Sequence, residues 1–496
     1  MGLTYNWYIL SSDIFLMTAS LSLLIFGVLL NSSKKLGFPV LTNVFNFLTL
    51  YTFVLGLIIL YFQNPLVIYF WNGFLFANFF TYFNKVLLLI LSIGISGLSV
   101  TYFSIQKIHF FENWILFLLG VFAISLVLHA FDLLSVYITI EFQSLIFYIL
   151  ASLNRTSEFS TESGLKYFIL GAFSSGFLLL GFVLLYSFSG LTNLLDFSKL
   201  CTGFVYFDYT FSSGIFLGLF FVAIALFFKL NIAPFHFWSP DVYDGAPFST
   251  TAFFAVLPKL ALGGLLIKFF YVAFFNFLPT LNFFLIFCCF LSSFIGILGA
   301  FLQKKWKRFI AYSSIGHASF IVLGILANDF SAIESIFIFL IIYSVSSLVF
   351  FLITANLCFF SFPNFGYLRF IKNIKNLARI NKTLAFYLLI VMFSLAGVPP
   401  LAGFFSKFFI LFSSLKNNFF GLAILLIIIN CISSFYYLRF TKLMFFDFSY
   451  YQFVLVPMSY FNSIIVTFSV FFLIFCILDL DFLIAISKLI AISLIQ

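Results

Sequence analysis

Two prolines interrupt a long apolar run in the stretch Leu395-Ala396-Gly397-Val398-Pro399-Pro400-Leu401-Ala402-Gly403-Phe404-Phe405-Ser406-Lys407. Proline removes a backbone donor and clashes with the turn before it, so a helix cannot continue through Pro399 and Pro400. Non-helical backbone at membrane depth is tolerated only where it meets protein or a water-filled cavity. The stretch therefore predicts a broken membrane helix whose interruption lies close to Lys407.

A second interruption of the same kind occurs earlier, in Phe227-Phe228-Lys229-Leu230-Asn231-Ile232-Ala233-Pro234-Phe235-His236. Here Pro234 follows shortly after Lys229. Interrupted helices in corresponding positions of two halves of a chain are typical of transporters with internal repeats. Simple proline kinks are the alternative, but they do not explain why a lysine accompanies each break.

The composition indicates a membrane protein. Hydrophobic residues make up 64% of the 496 positions and charged residues 8%, whereas soluble domains carry about 25% charge. Apolar runs of about 20 residues, the length that crosses the hydrocarbon core as a helix, recur along the chain. We predict an all-α fold with about fourteen transmembrane helices, centred near Leu23, Tyr51, Ser92, Leu119, Leu145, Leu178, Ala225, Ala261, Leu285, Leu323, Tyr343, Phe393, Ile429 and Ser469. The apolar tail after Asp481 is short, and we expect an interfacial helix there.

Lys and Arg are distributed unequally between alternate loops, which predicts the orientation. One set of loops carries Lys34, Lys35, Lys107, Arg155, Lys304, Lys305, Lys307, Arg308, Arg369, Lys372, Lys375, Arg379, Lys382, Arg439 and Lys442. The opposite set carries Lys85, Lys199, Lys416 and Lys488. The first set should face the cytoplasm or matrix, and both termini the other side. This bias accounts for the net charge of +9, so no nucleic-acid partner is needed.

Several ionisable residues remain inside apolar runs. A charge at a helix centre costs about 2.5–3.5 kcal/mol on insertion scales, so such residues mark functional sites unless they snorkel to the interface. We select Glu141, Lys229, Lys259 and Lys407 as relay candidates, because burial and a nearby opposite charge shift a lysine between its neutral and charged forms. Lys166, His236 and His317 are possible further members. Lys268 is expected to snorkel, and His109 and His129 to lie at the interface.

Other site types find no support. The six cysteines form no C-x-x-C pair or metal spacing, and no Gly-rich nucleotide loop is present. We therefore expect no metal and no bound cofactor. The N-terminus lacks the pattern of a secretory signal, so the first helix should remain in the mature protein. The 85 phenylalanines, with many Ile, Tyr, Asn and Lys, indicate AT-rich codons and favour an organelle genome.

Four stretches resemble the subunit 2 family of proton-pumping NADH:ubiquinone oxidoreductase (respiratory complex I). They are Asp132-Leu133-Leu134-Ser135-Val136-Tyr137 through Glu141-Phe142-Gln143-Ser144, the stretch from Ser157 to Gly176, the stretch from Pro234 to Pro247, and Ala311-Tyr312-Ser313-Ser314-Ile315-Gly316-His317. The second is the most specific, while the third is shared by all antiporter-like subunits. The resemblance covers roughly residues 80 to 445 and is closest to the mitochondrial, plant- or protist-type form, because a full first helix is present.

The resemblance implies a fold and a proton path. The fold would contain two inverted five-helix repeats, each with a broken helix, as residues 106–275 and 276–445. A three-helix segment, 1–105, would precede them, and a C-terminal helix and tail, 446–496, would follow. Glu141 would form a gating ion pair with Lys229, Lys259 would be the central relay, and Lys407 would deliver protons towards the outlet. Lys166 matches a lysine common in the family.

The resemblance also implies the setting. The chain would lie in the mitochondrial inner membrane with other membrane-arm subunits, lipids, protons and water, while NADH, flavin, iron–sulfur clusters and ubiquinone act at other subunits. Two alternatives remain: an Mrp-type cation/proton antiporter subunit, and a structural arm subunit that conducts nothing. A photosynthetic NDH subunit is a variant of the first reading.

Overall fold

The structure is a computed structural model and describes residues 7–30, 42–106, 110–203, 209–361, 364–367, 369–447 and 458–495. Four residues used above in the orientation and interface predictions, Lys34, Lys35, Lys107 and His109, lie outside these ranges.

Helices dominate the described chain. The first half contains α1 Ser11–Leu30, α2 Thr42–Tyr61, α3 Phe79–Gln106, α4 Glu112–His129, α5 Leu133–Ala151, α6 Glu158–Ser189, α7 Leu194–Gly203, α8 Tyr209–Leu230, α9 Trp238–Gly245 and α10 Phe248–Ile267, which continues as a π-helix, Lys268–Ala273. The second half contains α11 Leu278–Leu302, α12 Trp306–Ala327, α13 Phe330–Ala355, α14 Leu377–Ile380, α15 Lys382–Ala396, α16 Ala402–Lys416, α17 Phe420–Phe445, α18 Tyr460–Phe475 and α19 Leu480–Ile495. Short 3-10 segments are Phe275–Phe277 and Ile371–Ile374.

The helices account for the predicted spans. Within the described ranges, twelve helices are long and apolar enough to cross a membrane, and the bent pair α18 and α19 passes the same test together. Every one of the fourteen predicted centres falls in a helix. A multi-pass membrane bundle is therefore confirmed, whereas the number fourteen and the inverted relation of the two repeats stay predictions. The boundaries of the four predicted segments also stay predictions.

Two short antiparallel hairpins add to the predicted all-α fold. Strands β1 Ile68–Phe70 and β2 Leu75–Ala77 pair with Phe70 opposite Leu75, and β3 Cys358–Ser361 and β4 Asn364–Tyr367 form the other hairpin. The first turn contains Asn72 and Gly73, both with positive φ, which is the backbone that such hairpin turns require. Both hairpins lie between membrane helices.

Three helices form the centre of the bundle. Every residue of α10 is buried, and most residues of α12 and α13 are buried as well. The outer helices expose apolar side chains along one face, for example Leu134, Ile138 and Leu145 on α5. A helix that is apolar all round is suited to the middle of a bundle. Lys259 therefore lies at the centre of the molecule.

Contacts among loops bring two members of the basic set, Lys305 and Arg369, together at one end of the bundle. Lys305 pairs with the backbone of Phe370, Arg369 lies 5.0 Å from the ring of Phe159, and Lys305 Nζ donates to Asp244 Oδ2 at 2.6 Å. The hairpin β1–β2 and the C-terminal helix α19 lie at the other end, where Asn78 Nδ2 donates to the carbonyl of Ser493 at 2.8 Å. Helix α19 is bent by 95° from α18, so it runs across the bundle as an interfacial helix would.

Candidate functional site: a buried series of ionisable groups

The two predicted breaks have the same backbone geometry. Helix α8 ends with Asn231 at φ 63° and α15 ends with Gly397 at φ 82°. In each case the next residue donates to the carbonyl five positions back, Ile232 to Phe227 and Val398 to Phe393, both at 3.0 Å or less. This is the Schellman ending, which needs a left-handed residue that Gly or Asn supplies best. A cis peptide bond precedes Pro234 in one break and Pro400 in the other.

The second break brings two half-helices into direct contact. A Cβ added to Gly403, in the first turn of α16, would lie 1.8 Å from the carbonyl oxygen of Ser394 in α15. Only glycine permits this approach. It lets the following turn of α16 place Lys407 next to the end of α15.

Lys407 caps that helix end. Its Nζ donates to the carbonyls of Leu395 at 2.8 Å and Ala396 at 3.1 Å, and to Asn430 Oδ1 at 2.7 Å. The last carbonyls of a helix lack partners within the helix and carry partial negative charge. The break thus creates a cation-binding position inside the membrane, and Lys407 is 5% exposed.

Lys229 occupies a different environment in the last turn of α8. Its Nζ is buried and has no hydrogen-bond partner within the described chain. The Tyr148 ring lies 5.8 Å away. The carbonyl of Phe228 at this break accepts from Asn231 N at 3.2 Å and from Trp238 Nε1 at 2.9 Å. Lys229 is therefore held near the break without being fixed by it.

The expected direct ion pair between Glu141 and Lys229 is not formed, which corrects that prediction. Glu141 Oε2 accepts a hydrogen bond from Ser144 Oγ at 3.1 Å, while Oε1 is buried without a partner. A cavity of about 20 Å³ is lined by Gln143, Ser144 and Lys229. That volume is enough for one water molecule. Ser144, which donates to Glu141, therefore shares this cavity with Lys229, while Glu141 itself occupies a partly exposed position of α5.

Lys259 contacts the second half of the chain. Its Nζ donates to Tyr343 Oη at 2.8 Å, and Pro258, the residue before it, lines the cavity beside Lys229. The ring of His317 packs 5.3 Å from the Tyr343 ring, and its Nε2 lies 3.2 Å from Tyr437 Oη. Lys259 is therefore the group that lies between the two breaks.

His317 also borders the surroundings of Lys407. Both side chains line a small cavity of about 10 Å³, together with Asn430 and Ser433. This is at the lower limit for a single water. The structure thus brings Lys259, His317 and Lys407 into one polar series, and their relay role stays a prediction.

Two of the possible members lie away from this series. Lys166 is at the basic-loop end of α6, with a side chain 44% exposed that pairs with Glu162 at 2.7 Å and Asp241 at 3.3 Å. His236 is buried in the first break, stacks on Phe237, and its Nδ1 has no partner within the described chain. Within the described chain, neither side chain forms a hydrogen bond or ion pair with Glu141, Lys229, Lys259 or Lys407, so their relay role stays a prediction.

Two predictions about peripheral charges are wrong. Lys268 does not snorkel, because it is 1% exposed and donates to backbone carbonyls. Lys85 lies in α3 rather than in a loop, while His129, the last residue of α4, is 1% exposed and its interfacial position stays a prediction. Sequence position alone misled here, since each residue is near the end of an apolar run and only the packing of neighbouring helices covers it.

Sequence reasoning also missed several polar partners, namely Tyr343, Asn430, Tyr437 and Ser144. Asn430 had a signal, since an amide stands inside the apolar run of α17. The tyrosines had none, because 24 tyrosines are spread along the chain. Their roles depend on which helices pack together.

Known proteins are similar to this chain over most of its length. The family described as NADH:quinone oxidoreductase/Mrp antiporter, TM, matches residues 130–434, a range that contains both breaks and the four relay candidates. The chain is 38% identical over 449 residues to NADH-ubiquinone oxidoreductase chain 2 of Marchantia polymorpha, covering 89% of each. It is 38% identical over 379 residues to NADH-quinone oxidoreductase subunit N of Paramagnetospirillum magneticum, covering 76% of each.

Solved structures share the fold. A chain of respiratory complex I from Thermus thermophilus with bound Aureothin aligns with a TM-score of 0.79 at 24% identity, covering 96% of this chain and 98% of that one. A chain of the Mrp complex from Dietzia sp. DQ12-45-1b aligns with a TM-score of 0.80 at 16% identity, covering 98% and 97%. The two structural alignments show that the chain has an antiporter-like membrane fold. The chain belongs to the NADH:quinone oxidoreductase/Mrp antiporter family.

We predict that Gly171→Ala destabilises the protein through the surroundings of Lys229. A Cβ on Gly171 in α6 would lie 2.0 Å from Tyr148 Oη, so the phenol beside Lys229 must move. Overpacking of this kind costs about 1–3 kcal/mol, which thermal unfolding of the purified protein will measure. Gly176→Ala on the same helix is the matched control, because no atom lies within 4 Å of its added Cβ. Equal stability of the two variants would contradict the packing described.

Proposed function

We propose that this chain is the chain 2-type membrane-arm subunit of the proton-pumping NADH:ubiquinone oxidoreductase, in the mitochondrial inner membrane. The relatives named NADH-ubiquinone oxidoreductase chain 2 and NADH-quinone oxidoreductase subunit N support this assignment over most of the chain. The partners would be the other membrane-arm subunits of that complex, together with lipids, water and protons.

The observation that carries the proton-translocating role is the polar series through the bundle. Ser144, which donates to Glu141, lines a water-sized cavity together with Lys229 and Pro258. Lys259, the residue after Pro258, donates to Tyr343, and the Tyr343 ring packs against that of His317. A second small cavity then joins His317 to Lys407 and Asn430. Since an intramembrane ionisable group is costly, a bundle with no conducting role gains nothing from four of them in one row.

The chemistry proposed for the series is proton exchange only. Lys407 Nζ has three acceptors within hydrogen-bond distance, whereas Lys229 Nζ has none within the described chain. Glu141 and Lys229 would exchange a proton through water in the cavity that Ser144 and Lys229 line, and Lys259 would pass it towards Lys407. Hydride and electron transfer are assigned to other subunits, so that coupling to this chain acts at a distance.

No metal or redox group is proposed here. Within the described residues, no cluster of three or more His, Cys, Asp or Glu side chains is placed to hold a metal ion. The cysteines Cys288 and Cys289 are buried among apolar side chains.

Purification distinguishes the proposed assembly from its alternative. We expect the chain to co-purify with NADH-oxidising, quinone-reducing activity from mild-detergent extracts. An Mrp-type antiporter subunit would instead co-purify without that activity and would exchange a cation for protons in vesicles. Because both classes share this fold, the fold itself does not separate them.

Glu141→Gln tests the relay at its first member. Glutamine keeps an oxygen that accepts from Ser144 but cannot carry a proton, so we expect normal assembly and a clear fall in the protons pumped per NADH oxidised. The measurement is proton uptake by vesicles that contain the purified complex. Glu162→Gln is the matched control, because Glu162 is 60% exposed and exposed ion pairs contribute little. Unchanged pumping in Glu141→Gln would remove Glu141 from the path.

A further inference from the structure

Three ionisable side chains from three helices meet outside the polar series described above. Asp13 lies in the first turn of α1, Lys85 in α3, and His129 ends α4. They are 2%, 4% and 1% exposed. Lys85 Nζ donates to Asp13 Oδ2, and His129 Nε2 lies 3.6 Å from the same oxygen. The cluster is therefore buried as deeply as the relay candidates.

The hydrogen bond of His129 indicates which of its ring nitrogens carries the proton. Its Nδ1 lies 3.1 Å from the carbonyl oxygen of Phe76, and because a carbonyl only accepts, Nδ1 carries the proton. In the neutral ring Nε2 is then an acceptor. Nε2 and Asp13 Oδ1 both lack a partner within the described chain. Two acceptors thus face each other, Nε2 and Asp13 Oδ2, and one proton on Nε2 would turn this into an attraction.

A cavity connects the cluster with the end of the bundle. It measures about 20 Å³ and is lined by Lys85, His129, Tyr82, Gln63 and Asn64, among others. This is enough for one water. Asn64 is exposed, so the cavity borders the surface at the end opposite the basic loops.

Lys268 connects the cluster with the helix that carries Lys259. Its Nζ donates to the carbonyls of Leu128 and Ala130, the latter at 3.3 Å, on either side of His129. Lys259 and Lys268 lie on one continuous helical segment, about 13 Å apart along its axis. The central helix therefore has one lysine in the polar series and one beside the cluster.

The charged groups Asp132, Glu334 and Lys488 either have another hydrogen-bond partner or are partly or fully exposed. Asp132, just after α4, accepts from the backbone of Leu134 at 2.9 Å. Glu334 on α13 is half-buried and Lys488 on α19 is exposed. Within the described chain, Lys85 and His129 are the groups that form ion contacts with Asp13.

We propose that Asp13, Lys85 and His129 form a second proton-binding site, through which the relay exchanges protons with the aqueous phase at the end of the bundle opposite the basic loops. A proton binds Nε2 of His129, which becomes an imidazolium next to the Asp13 carboxylate, and leaves to water in the cavity. No bond other than that to the proton changes. The exchange role rests on the proposed function, whereas proton binding itself does not.

A purely structural ion pair is the competing explanation, and a double substitution separates the two. In Asp13→Leu/Lys85→Met both partners become apolar, a change that is often neutral or stabilising for a buried pair. A structural role is then preserved while the proton-binding site is lost. The matched control is Asp196→Asn/Lys199→Gln, which removes an exposed Lys–Asp pair from the short helix α7.

The experiment uses the intact purified complex, by pH-difference infrared spectroscopy and by proton pumping in vesicles. We expect the double variant to lose imidazole and carboxylate signals that the wild type and the control retain, and to pump fewer protons per NADH. Retained signals would overturn the site. Lost signals with unchanged pumping would overturn the exchange role.

Two further variants keep the test decisive. If the double variant does not assemble, His129→Gln replaces it, since a glutamine amide also donates to the Phe76 carbonyl but offers no basic nitrogen. Lys229→Met distinguishes this inference from the proposed function. If Lys229→Met pumps normally and the double variant loses its signals, the relay hypothesis is wrong and the proton-binding site stands. If Lys229→Met fails to pump and the double variant keeps its signals, the relay stands and the proton-binding site is wrong.

Discussion

Lys229→Met should leave the protein as stable as before, or more so, and should lower coupled turnover by about a hundredfold or more, the scale of a positioned proton-transfer group. The stability argument comes from the structure. Lys229 Nζ is buried with no hydrogen-bond partner within the described chain, so its removal breaks no hydrogen bond and relieves an unsatisfied buried group. Methionine fills a similar volume.

The two effects are measured separately. Thermal inactivation of the purified complex reports stability, and NADH oxidation with proton uptake in sealed vesicles reports turnover. Lys416→Met is the control, because Lys416 has a side chain 62% exposed and a distant partner in Asp329 at 3.5 Å. A structural lysine would show the opposite pattern, with lower stability and unchanged coupling. If pumping stays normal after all four relay candidates are replaced, the chain is a structural arm subunit that conducts no protons. The four candidates are Glu141, Lys229, Lys259 and Lys407.

Gly403→Ala should prevent the second break from closing and remove most of the assembled protein. The added Cβ would lie 1.8 Å from the carbonyl oxygen of Ser394 and 2.6 Å from its carbonyl carbon. Both are backbone atoms, so the half-helices α15 and α16 must separate. Overpacking against a side chain typically costs about 1–3 kcal/mol, and a contact with rigid backbone should lie at or above that range. Lys407 would also lose its place at the end of α15.

Gly421→Ala provides the comparison for this prediction. Gly421 lies in the first turns of α17, is exposed, and has no atom within 4 Å of an added Cβ. Alanine there should be neutral or stabilise the helix by up to about 1 kcal/mol. Quantitative immunoblotting of native gels measures the assembled fraction of each variant. Equal assembly of both would show that α15 and α16 do not approach as described.

The helical bundle, the breaks and the four relay candidates were predictable because each depends on local rules. A run of apolar residues is a membrane helix for reasons of length and backbone hydrogen bonding, and Pro234, Pro399 and Pro400 cannot continue one. Lys407 and Lys259 were predictable because a buried charge is costly at any position in an apolar run. None of these arguments needs to know which helices are neighbours.

The partners of those charges were decided only by the tertiary structure. Lys259 meets Tyr343, and Lys407 meets Asn430 and the end of α15. Asp13 meets Lys85 and His129 across long separations in sequence, and Lys268 is covered rather than snorkelling.

The two breaks show why the sequence determines where the helices end but not which groups the lysines bind. Proline and the left-handed residues Asn231 and Gly397 act on their own backbone, so the sequence by itself determined that the helices end there. Whether a lysine then binds the freed carbonyls depends on distance. Lys407 reaches those of Leu395 and Ala396, because Gly403 lets α16 approach α15. At the first break the carbonyl of Phe228 accepts from Asn231 N and Trp238 Nε1, and Lys229 Nζ has no hydrogen-bond partner within the described chain.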